Sequence, residues 1–185
     1  MHPYKASLMT IICLSGLGAA STAWAGDYPC PPNRGAVTID GNIVVTGTCT
    51  LNGTVVKGNV HMNRGTLRVL GAQIEGSIQV AGGSSVKVQN TQVNGNIQLE
   101  NLAGAGSLVA GNRVGGSIQM KQNRKYLDVR GNRVNADVQA FTNTGGVQIL
   151  NNVIGGNLQC KSNIPAPTGG NNRVSGNKED QCRRL

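Results

Sequence analysis

The stretch Asn-Arg-Val-Gly-Gly-Ser-Ile-Gln-Met at residues 112–120 indicates the fold of this chain, because it keeps returning. Near-copies lie at residues 132–140 and 152–160, and looser copies lie at residues 91–99 and 72–80. One small residue marks each copy at steps of 17 to 21 residues, and these markers are Gly41, Gly58, Gly76, Gly95, Gly116, Ala136, Gly156 and Gly176. A period of this length over eight copies predicts a solenoid rather than a compact two-layer domain.

Aliphatic residues alternate around each marker, as Val114, Ile118 and Met120 do around Gly116. A spacing of two residues places such side chains on one side of a strand. Further alternating pairs between the copies, such as Leu127 and Val129, predict a third strand in each coil. The predicted fold class is therefore all-β: a single-domain parallel β-helix of about eight coils of 17–21 residues. The uneven coil length favours the right-handed type.

Polar corners complete each predicted coil. Glycine and asparagine at the corners permit positive φ. One corner position carries asparagine in four successive copies, namely Asn112, Asn132, Asn152 and Asn172. Since buried amides need partners, these side chains are expected to hydrogen-bond along the stack.

The first 25 residues have the pattern of a cleavable secretory signal. Lys5 precedes an apolar run at residues 8–20, and Ala23-Trp24-Ala25 fits a signal-peptidase site. The sequence therefore predicts cleavage after Ala25 and a secreted or periplasmic chain without a transmembrane segment. A lipoprotein anchor at Cys13 is disfavoured, because Ile12 stands where a small residue is needed. The expected organisation is an N-terminal cap at 26–35, β-helix coils at 36–160, and the last coil with a C-terminal cap at 161–185.

Four cysteines remain after removal of the signal: Cys30, Cys49, Cys160 and Cys182. An even number in an exported chain indicates disulfides, and three pairings are possible. The favoured pairs are Cys30–Cys49 and Cys160–Cys182, one at each end. The alternative is a four-cysteine zinc site, although the spacings lack the close pairs that zinc usually uses. No metal or other cofactor is predicted.

The charge balance favours an anionic partner. Lys5 is the only charged residue before Gly26, so the 17 Lys+Arg fall to 16 against 8 Asp+Glu, a net charge of +8. Acidic polysaccharide, lipopolysaccharide, a membrane surface or extracellular nucleic acid would be attracted to such a chain. The alternative is that the charge serves solubility alone.

Two sets of outward positions are candidates for ligand binding. The position between the two interior strand residues carries Gln79, Gln98, Gln119, Gln139 and Gln159. These amides can form a ladder among themselves or offer donors and acceptors to a repeating polymer. The second set supplies charge, with Arg113 and Arg133 one coil apart and Lys121, Arg124 and Lys125 in a loop. Their guanidinium and ammonium groups can bind carboxylate or phosphate, or can simply be a solvated basic face.

A resemblance covers residues 36–176, which resemble secreted bacterial right-handed parallel β-helix proteins of the pectate-lyase-like solenoid class. The closing stretch runs from Gly155-Gly156-Asn157-Leu158-Gln159-Cys160 to Ser175-Gly176-Asn177-Lys178-Glu179-Asp180-Gln181-Cys182. It is similar to a C-terminal motif shared by small exported bacterial proteins. The resemblance implies a right-handed β-helix with an end cap and supplies no activity.

The leading functional hypothesis is an exported, non-catalytic β-helix that binds or organises an anionic polymer, such as a surface or extracellular polysaccharide. One alternative is a small polysaccharide lyase or glycosidase. However, Asp40, Asp128 and Asp137 fall in different positions of the repeat, so no carboxylate pair and no catalytic residue is predicted. The other alternative is a structural or adhesive unit that self-associates.

Overall fold

The computed structural model describes residues 26–185 of the chain. The predicted signal at 1–25, with Cys13, lies outside the described residues. The described part is a single all-β parallel β-solenoid of about seven turns. The predicted single-domain, all-β parallel β-helix is confirmed, with about seven turns where the sequence predicts about eight coils. Each full turn contributes one strand to each of three sheets, and partial turns at the ends make the strand numbers unequal.

The three sheets run along the length of the solenoid. Sheet A has nine strands in the order β1 (Gly26–Cys30), β3 (Gly41–Val45), β6 (Val60–Met62), β9 (Ile78–Val80), β12 (Ile97–Glu100), β15 (Ile118–Lys121), β18 (Val138–Phe141), β21 (Leu158–Lys161) and β24 (Lys178–Asp180). Sheet B has seven strands: β4 (Thr48–Asn52), β7 (Thr66–Leu70), β10 (Ser85–Gln89), β13 (Ser107–Ala110), β16 (Leu127–Arg130), β19 (Val147–Leu150) and β22 (Thr168–Gly170). Sheet C has eight two-residue strands: β2 (Thr38–Ile39), β5 (Val55–Val56), β8 (Gln73–Ile74), β11 (Gln92–Val93), β14 (Arg113–Val114), β17 (Arg133–Val134), β20 (Val153–Ile154) and β23 (Arg173–Val174).

The strands stack in the register that the repeat predicts. Ile118 pairs with Ile97 on one side and Val138 on the other, and Val114 pairs with Val93 in the same way. These side chains are fully or almost fully buried in one continuous aliphatic core. Burial of each such side chain stabilises the fold by about 1.5–3 kcal/mol, and a single coil cannot achieve this alone.

The marker residues are small because neighbouring coils approach closely. A Cβ added at Gly116 would collide with Asn96 Oδ1, which accepts a hydrogen bond from the Ser117 backbone N–H at 2.7 Å. Positive φ occurs at other corners: after sheet B, where Asn90, Gly111 and Gly131 have φ of 50°, 68° and 63°, and after sheet A, where Gln122 and Thr142 both have φ of 56°. The marker glycines after Gly41 are thus needed for space between the coils.

Two buried asparagine ladders tie the coils together. In the predicted ladder, the Asn112 side chain donates to Asn132 Oδ1 at 3.0 Å, and the pattern continues through Asn152 to Asn172. A second ladder, which the sequence analysis did not identify, consists of Asn123, Asn143 and Asn163 and ends on Gln181. In both ladders the amide also donates to a backbone carbonyl, so these buried polar groups are paired.

Both ends of the solenoid carry a disulfide, in the predicted pairing. The Cα–Cα distance is 5.3 Å for Cys30–Cys49 and 5.2 Å for Cys160–Cys182. At the C-terminal end, Cys182 is fully buried and Leu185 packs on the core with 8% exposure. The two disulfides indicate an oxidising environment, such as the periplasm or the extracellular space. In residues 26–185 no helix is long and apolar enough to cross a membrane.

Candidate ligand-binding face

The outward side of sheet A carries a hydrogen-bonded glutamine ladder. We call this surface, formed by Gln79, Gln98, Gln119, Gln139 and Gln159, the glutamine face. Register pairing aligns all five residues. The Gln98 Nε2 donates to Gln119 Oε1 at 2.8 Å, Gln119 to Gln139 at 3.0 Å, and Gln139 to Gln159 at 2.7 Å. Four of the five predicted glutamines are therefore hydrogen-bonded to one another, as expected if these amides form a ladder among themselves.

Glu179 fixes the direction of this ladder. The Gln159 Nε2 donates to Glu179 Oε2 at 2.9 Å. An ionised carboxylate only accepts hydrogen bonds, so Gln159 must turn its NH₂ towards Glu179 and its oxygen towards Gln139. Each earlier glutamine then takes the same orientation, because its NH₂ donates to the oxygen of the next glutamine. The amide groups consequently point the same way along the rod, and each keeps one free N–H and one free oxygen lone pair.

A second outward column lies beside the ladder on the same sheet. It is formed, strand by strand, by Glu100, Lys121, Phe141 and Lys161, which pair in register. Lys121 and Lys161 are exposed, whereas Phe141 is half-buried. Lys121 follows Gln119 by two residues, so both side chains leave the same face of the strand about 7 Å apart. The predicted residue Lys121 therefore belongs to the glutamine face, and Phe141 and Lys161 extend it.

The predicted arginines lie on another side of the rod. Arg113 and Arg133 pair in register on sheet C, and Arg173 follows two strands further along, after Val153. Arg113 and Arg133 line a depression of about 240 Å³ with Gln92 and other residues, whereas Arg173 lies outside it. The corner at residues 115–117 separates this sheet from the glutamine face. Arg113 and Arg133 thus lie close to each other but apart from the glutamines.

Arg124 and Lys125 lie in the loop between β15 and β16, after Lys121, and both are exposed. In residues 26–185 the salt bridges are Lys57–Asp40 at 3.8 Å and Arg130–Asp128 at 2.7 Å, and neither involves a predicted binding cation. The five predicted cations therefore form no salt bridge in the described part of the chain, although Glu100 lies beside Lys121 in register. Their charge is available to an external anion.

One tyrosine beside this loop has a perturbed pKa. Burial raises the pKa of the Tyr126 hydroxyl, the Asp128 carboxylate raises it further, and the Arg130 guanidinium lowers it in part. A tyrosine hydroxyl is uncharged at neutral pH even without this upward shift, so Tyr126 adds no negative charge beside the basic loop.

A groove of about 570 Å³ crosses the N-terminal half of sheet A. It contains Asp27, His61, Gln79 and Glu100. The repeat pattern places His61 and Gln79 in one outward column but does not bring Asp27 or Glu100 to them. Asp27 and Glu100 stand on strands four apart and are offset by four residues along the strands, so at least about 19 Å separates their backbones at the usual strand spacing. The carboxylates of glycoside hydrolases lie about 5–9.5 Å apart. These two acids are therefore too distant to work as such a pair, and residues 26–185 hold no metal-binding group of three or more acids, histidines and cysteines.

Comparison of the chain with protein-family models, curated proteins and solved structures gives no match. The protein is therefore defined by its architecture, a disulfide-linked parallel β-solenoid. The resemblance to the pectate-lyase-like class is supported only as far as that fold.

Proposed function

We propose that this protein is a non-catalytic β-solenoid that binds an anionic polymer, and that the polymer is an acidic polysaccharide. One observation carries the proposal: exposed Lys121 and Lys161 stand beside the glutamine ladder without an acidic salt-bridge partner among residues 26–185. Ammonium groups attract carboxylates, while the free half of each ladder amide can pair with hydroxyl groups.

The repetition of the glutamine face supports a repeating ligand. The strands of sheet A succeed one another at about 4.8 Å, and the ladder presents an equally oriented amide at each step. A polymer lying along the rod meets the same donors and acceptors in each coil. Ladder hydrogen bonds hold the amides in place, so little side-chain entropy is lost on binding.

The arginines of sheet C provide a second surface for the same class of ligand. Arg113 and Arg133 are neighbours of like charge without a salt bridge in the described part of the chain. A bound anion relieves the repulsion between them, and a guanidinium can hold a carboxylate with two parallel hydrogen bonds.

The disulfides support export of the chain, because they form in oxidising compartments. We propose that residues 1–25 direct this export and are removed after Ala25. N-terminal sequencing of the exported protein tests this, since the expected first residue is Gly26. An exported chain that retains Met1 would contradict it.

Affinity measurements with polygalacturonate, and with neutral dextran as a reference, test the binding proposal. At low ionic strength we expect binding to polygalacturonate alone, weakening as salt screens the charges. The double variants Lys121→Ala/Lys161→Ala and Arg113→Ala/Arg133→Ala are expected to weaken binding about tenfold each, as loss of charge-assisted hydrogen bonds predicts.

The matched control is Arg68→Ala/Lys87→Ala. These two cations also stand in register on neighbouring strands and are exposed, but they lie on sheet B. The control removes the same charge and should change the affinity less than about twofold, because surface charges act weakly at a distance in salt. Absence of binding at low salt, or equal weakening by all three double variants, would refute the proposed site.

A further inference from the structure

We propose that Phe141, together with Lys121 and Lys161, forms a subsite for one uronic-acid unit of the polysaccharide. This inference rests on the proposed function and names the part of the ligand that is recognised. The pyranose ring stacks on Phe141, and the carboxylates of that unit and its neighbour pair with the two lysines.

The register of sheet A builds this subsite. Phe141 on β18 pairs directly with Lys121 on β15 and with Lys161 on β21. At the usual strand spacing each lysine backbone lies about 5 Å from that of Phe141, on opposite sides. An aromatic ring in a column of outward positions is thus flanked by two cations, and Phe141 is the single phenylalanine of the chain.

The Phe141 ring supplies an apolar contact that the two charged lysines cannot provide. Phe141 is half-buried, so part of its apolar surface stays in contact with water. The C–H face of a pyranose is also apolar, and stacking the two removes both surfaces from water. A ligand that carries charge but has no ring, such as polyphosphate, gains nothing from this contact.

The ladder beside the ring supplies polar partners. Gln139 precedes Phe141 by two residues on β18, so its amide lies about 7 Å away on the same face. Its position is fixed by hydrogen bonds to Gln119 and Gln159 at 3.0 and 2.7 Å. The remaining N–H and oxygen lone pair of this amide can reach sugar hydroxyls. Ring stacking, carboxylate pairing and hydroxyl pairing together describe a uronic acid.

The column favours a glycan over a single-stranded nucleic acid. Nucleic-acid channels stack successive bases on several aromatic side chains. Here the neighbours of Phe141 in register are lysines, and the next member beyond Lys121 is Glu100. The Glu100 carboxylate repels phosphate and uronate groups alike, so the discrimination against nucleic acid rests on the single aromatic ring of the column. One ring between two cations therefore suits one acidic sugar.

Binding of three probes to the Phe141→Ala variant tests the subsite: oligogalacturonate, polyphosphate and oligo(dT). The matched control is Leu108→Ala, because Leu108 is an outward, half-buried apolar residue on sheet B. We expect Phe141→Ala to weaken oligogalacturonate binding about tenfold and polyphosphate binding less than about twofold. Leu108→Ala should leave both within about twofold of the wild type.

Three results would overturn the subsite: unchanged oligogalacturonate binding, an equal loss of polyphosphate binding, or a larger loss of oligo(dT) binding. If the wild type binds oligogalacturonate and Phe141→Ala binds it equally well, the subsite is wrong while the proposed function stands. If the wild type binds no anionic probe, the proposed function itself fails.

If Phe141→Ala folds poorly, an NMR measurement on the wild type still tests the subsite. Because the chain has one phenylalanine, selective ¹³C labelling gives NMR signals from the Phe141 ring alone. Saturation with oligogalacturonate is expected to shift these signals, and saturation with polyphosphate to shift them much less. Ring signals that do not move at saturating oligogalacturonate would contradict the subsite.

Discussion

At the scale of single residues, Asn132 connects the coils on both sides of it. Its oxygen accepts from the Asn112 side chain at 3.0 Å, and its amide donates to Asn152 Oδ1 at 3.0 Å and to the Val109 carbonyl at 2.8 Å. The residue is 1% exposed, so water does not replace these partners. We predict that Asn132→Ala lowers the free energy of unfolding by about 3–5 kcal/mol, since several buried groups lose their partners.

Chemical denaturation measures this loss, and Gln119→Ala is the comparison. Gln119 has an equivalent ladder role with hydrogen bonds of 2.8 and 3.0 Å, but it is half-buried and its partners can turn to water. Its replacement should cost less than about 1 kcal/mol. Equal losses in the free energy of unfolding for the two variants would show that burial does not determine how much a ladder stabilises the fold.

Thr142 illustrates strain at a corner. Its φ is 56°, a left-handed conformation that β-branched residues rarely adopt. Asparagine tolerates this conformation better, so Thr142→Asn is expected to raise the free energy of unfolding by about 0.5–1 kcal/mol. Thr144→Asn in the same loop serves as the control, because Thr144 has no positive φ. A thermal unfolding midpoint for Thr142→Asn at or below that of the control would contradict this reading.

At the scale of elements, the direction of the glutamine ladder depends on Glu179 at its end. We predict that Glu179→Ala disturbs the side-chain amide NMR signals of Gln98, Gln119, Gln139 and Gln159, since nothing then fixes which way Gln159 turns. Stability should change by less than about 1 kcal/mol, because the site is only partly buried. Asp180→Ala, on the same strand, should leave these signals in place. Signals that change for Gln159 alone would mean that the amides are set independently.

The sequence predicts the strands and their inward residues well, but it predicts less completely which outward residues share one surface. The periodic aliphatic positions place Val114, Ile118 and Met120 inside, because one register error would turn a whole strand around. The repeat pattern places Lys121 and Lys161 at comparable positions but does not single out Phe141 between them, because this column changes residue type at each step. Phe141 and Lys161 lie 20 and 40 residues after Lys121, which is one and two coils.

The relation between the arginines and the glutamines shows a second limit, because the repeat gives them as two outward sets without telling whether they face the same way. Spacing along the chain tells which residues stack, but the turn at the corner decides which sheets face the same way. Arg113 and Gln119 are six residues apart and belong to different sheets of one coil. The role of Gly116 is also a property of neighbouring coils, because its lack of a Cβ leaves room for Asn96.

At the scale of the whole molecule, both ends of the solenoid are closed against stacking. The Cys30 carbonyl accepts from Thr46 at 2.9 Å, so Cys30 faces β3 and Pro29 faces outwards at the edge of β1. Proline has no N–H to offer another strand. Residues 181–185 close the opposite end, with Leu185 on the core. Such protection opposes end-to-end growth of repeat proteins.

Removal of residues 181–185 from a Cys160→Ala variant is predicted to cause concentration-dependent association, because the last coil then exposes its edge and apolar interior. The control is the full-length Cys160→Ala/Cys182→Ala variant, which likewise lacks the disulfide and cannot form one between molecules. Sedimentation velocity distinguishes the two. A truncated chain that sediments as the control does at high concentration would show that the C-terminal residues do not prevent association.

Binding of an acidic polysaccharide to the glutamine face can be tested by titrating the isotope-labelled wild type with oligogalacturonate at low salt and following the titration by NMR. We expect the largest chemical-shift changes on the side-chain amides of Gln119, Gln139 and Gln159 and on Lys121, and we expect them to disappear as salt is added. Shift changes confined to sheet B, or no changes at saturating ligand, would contradict the claim.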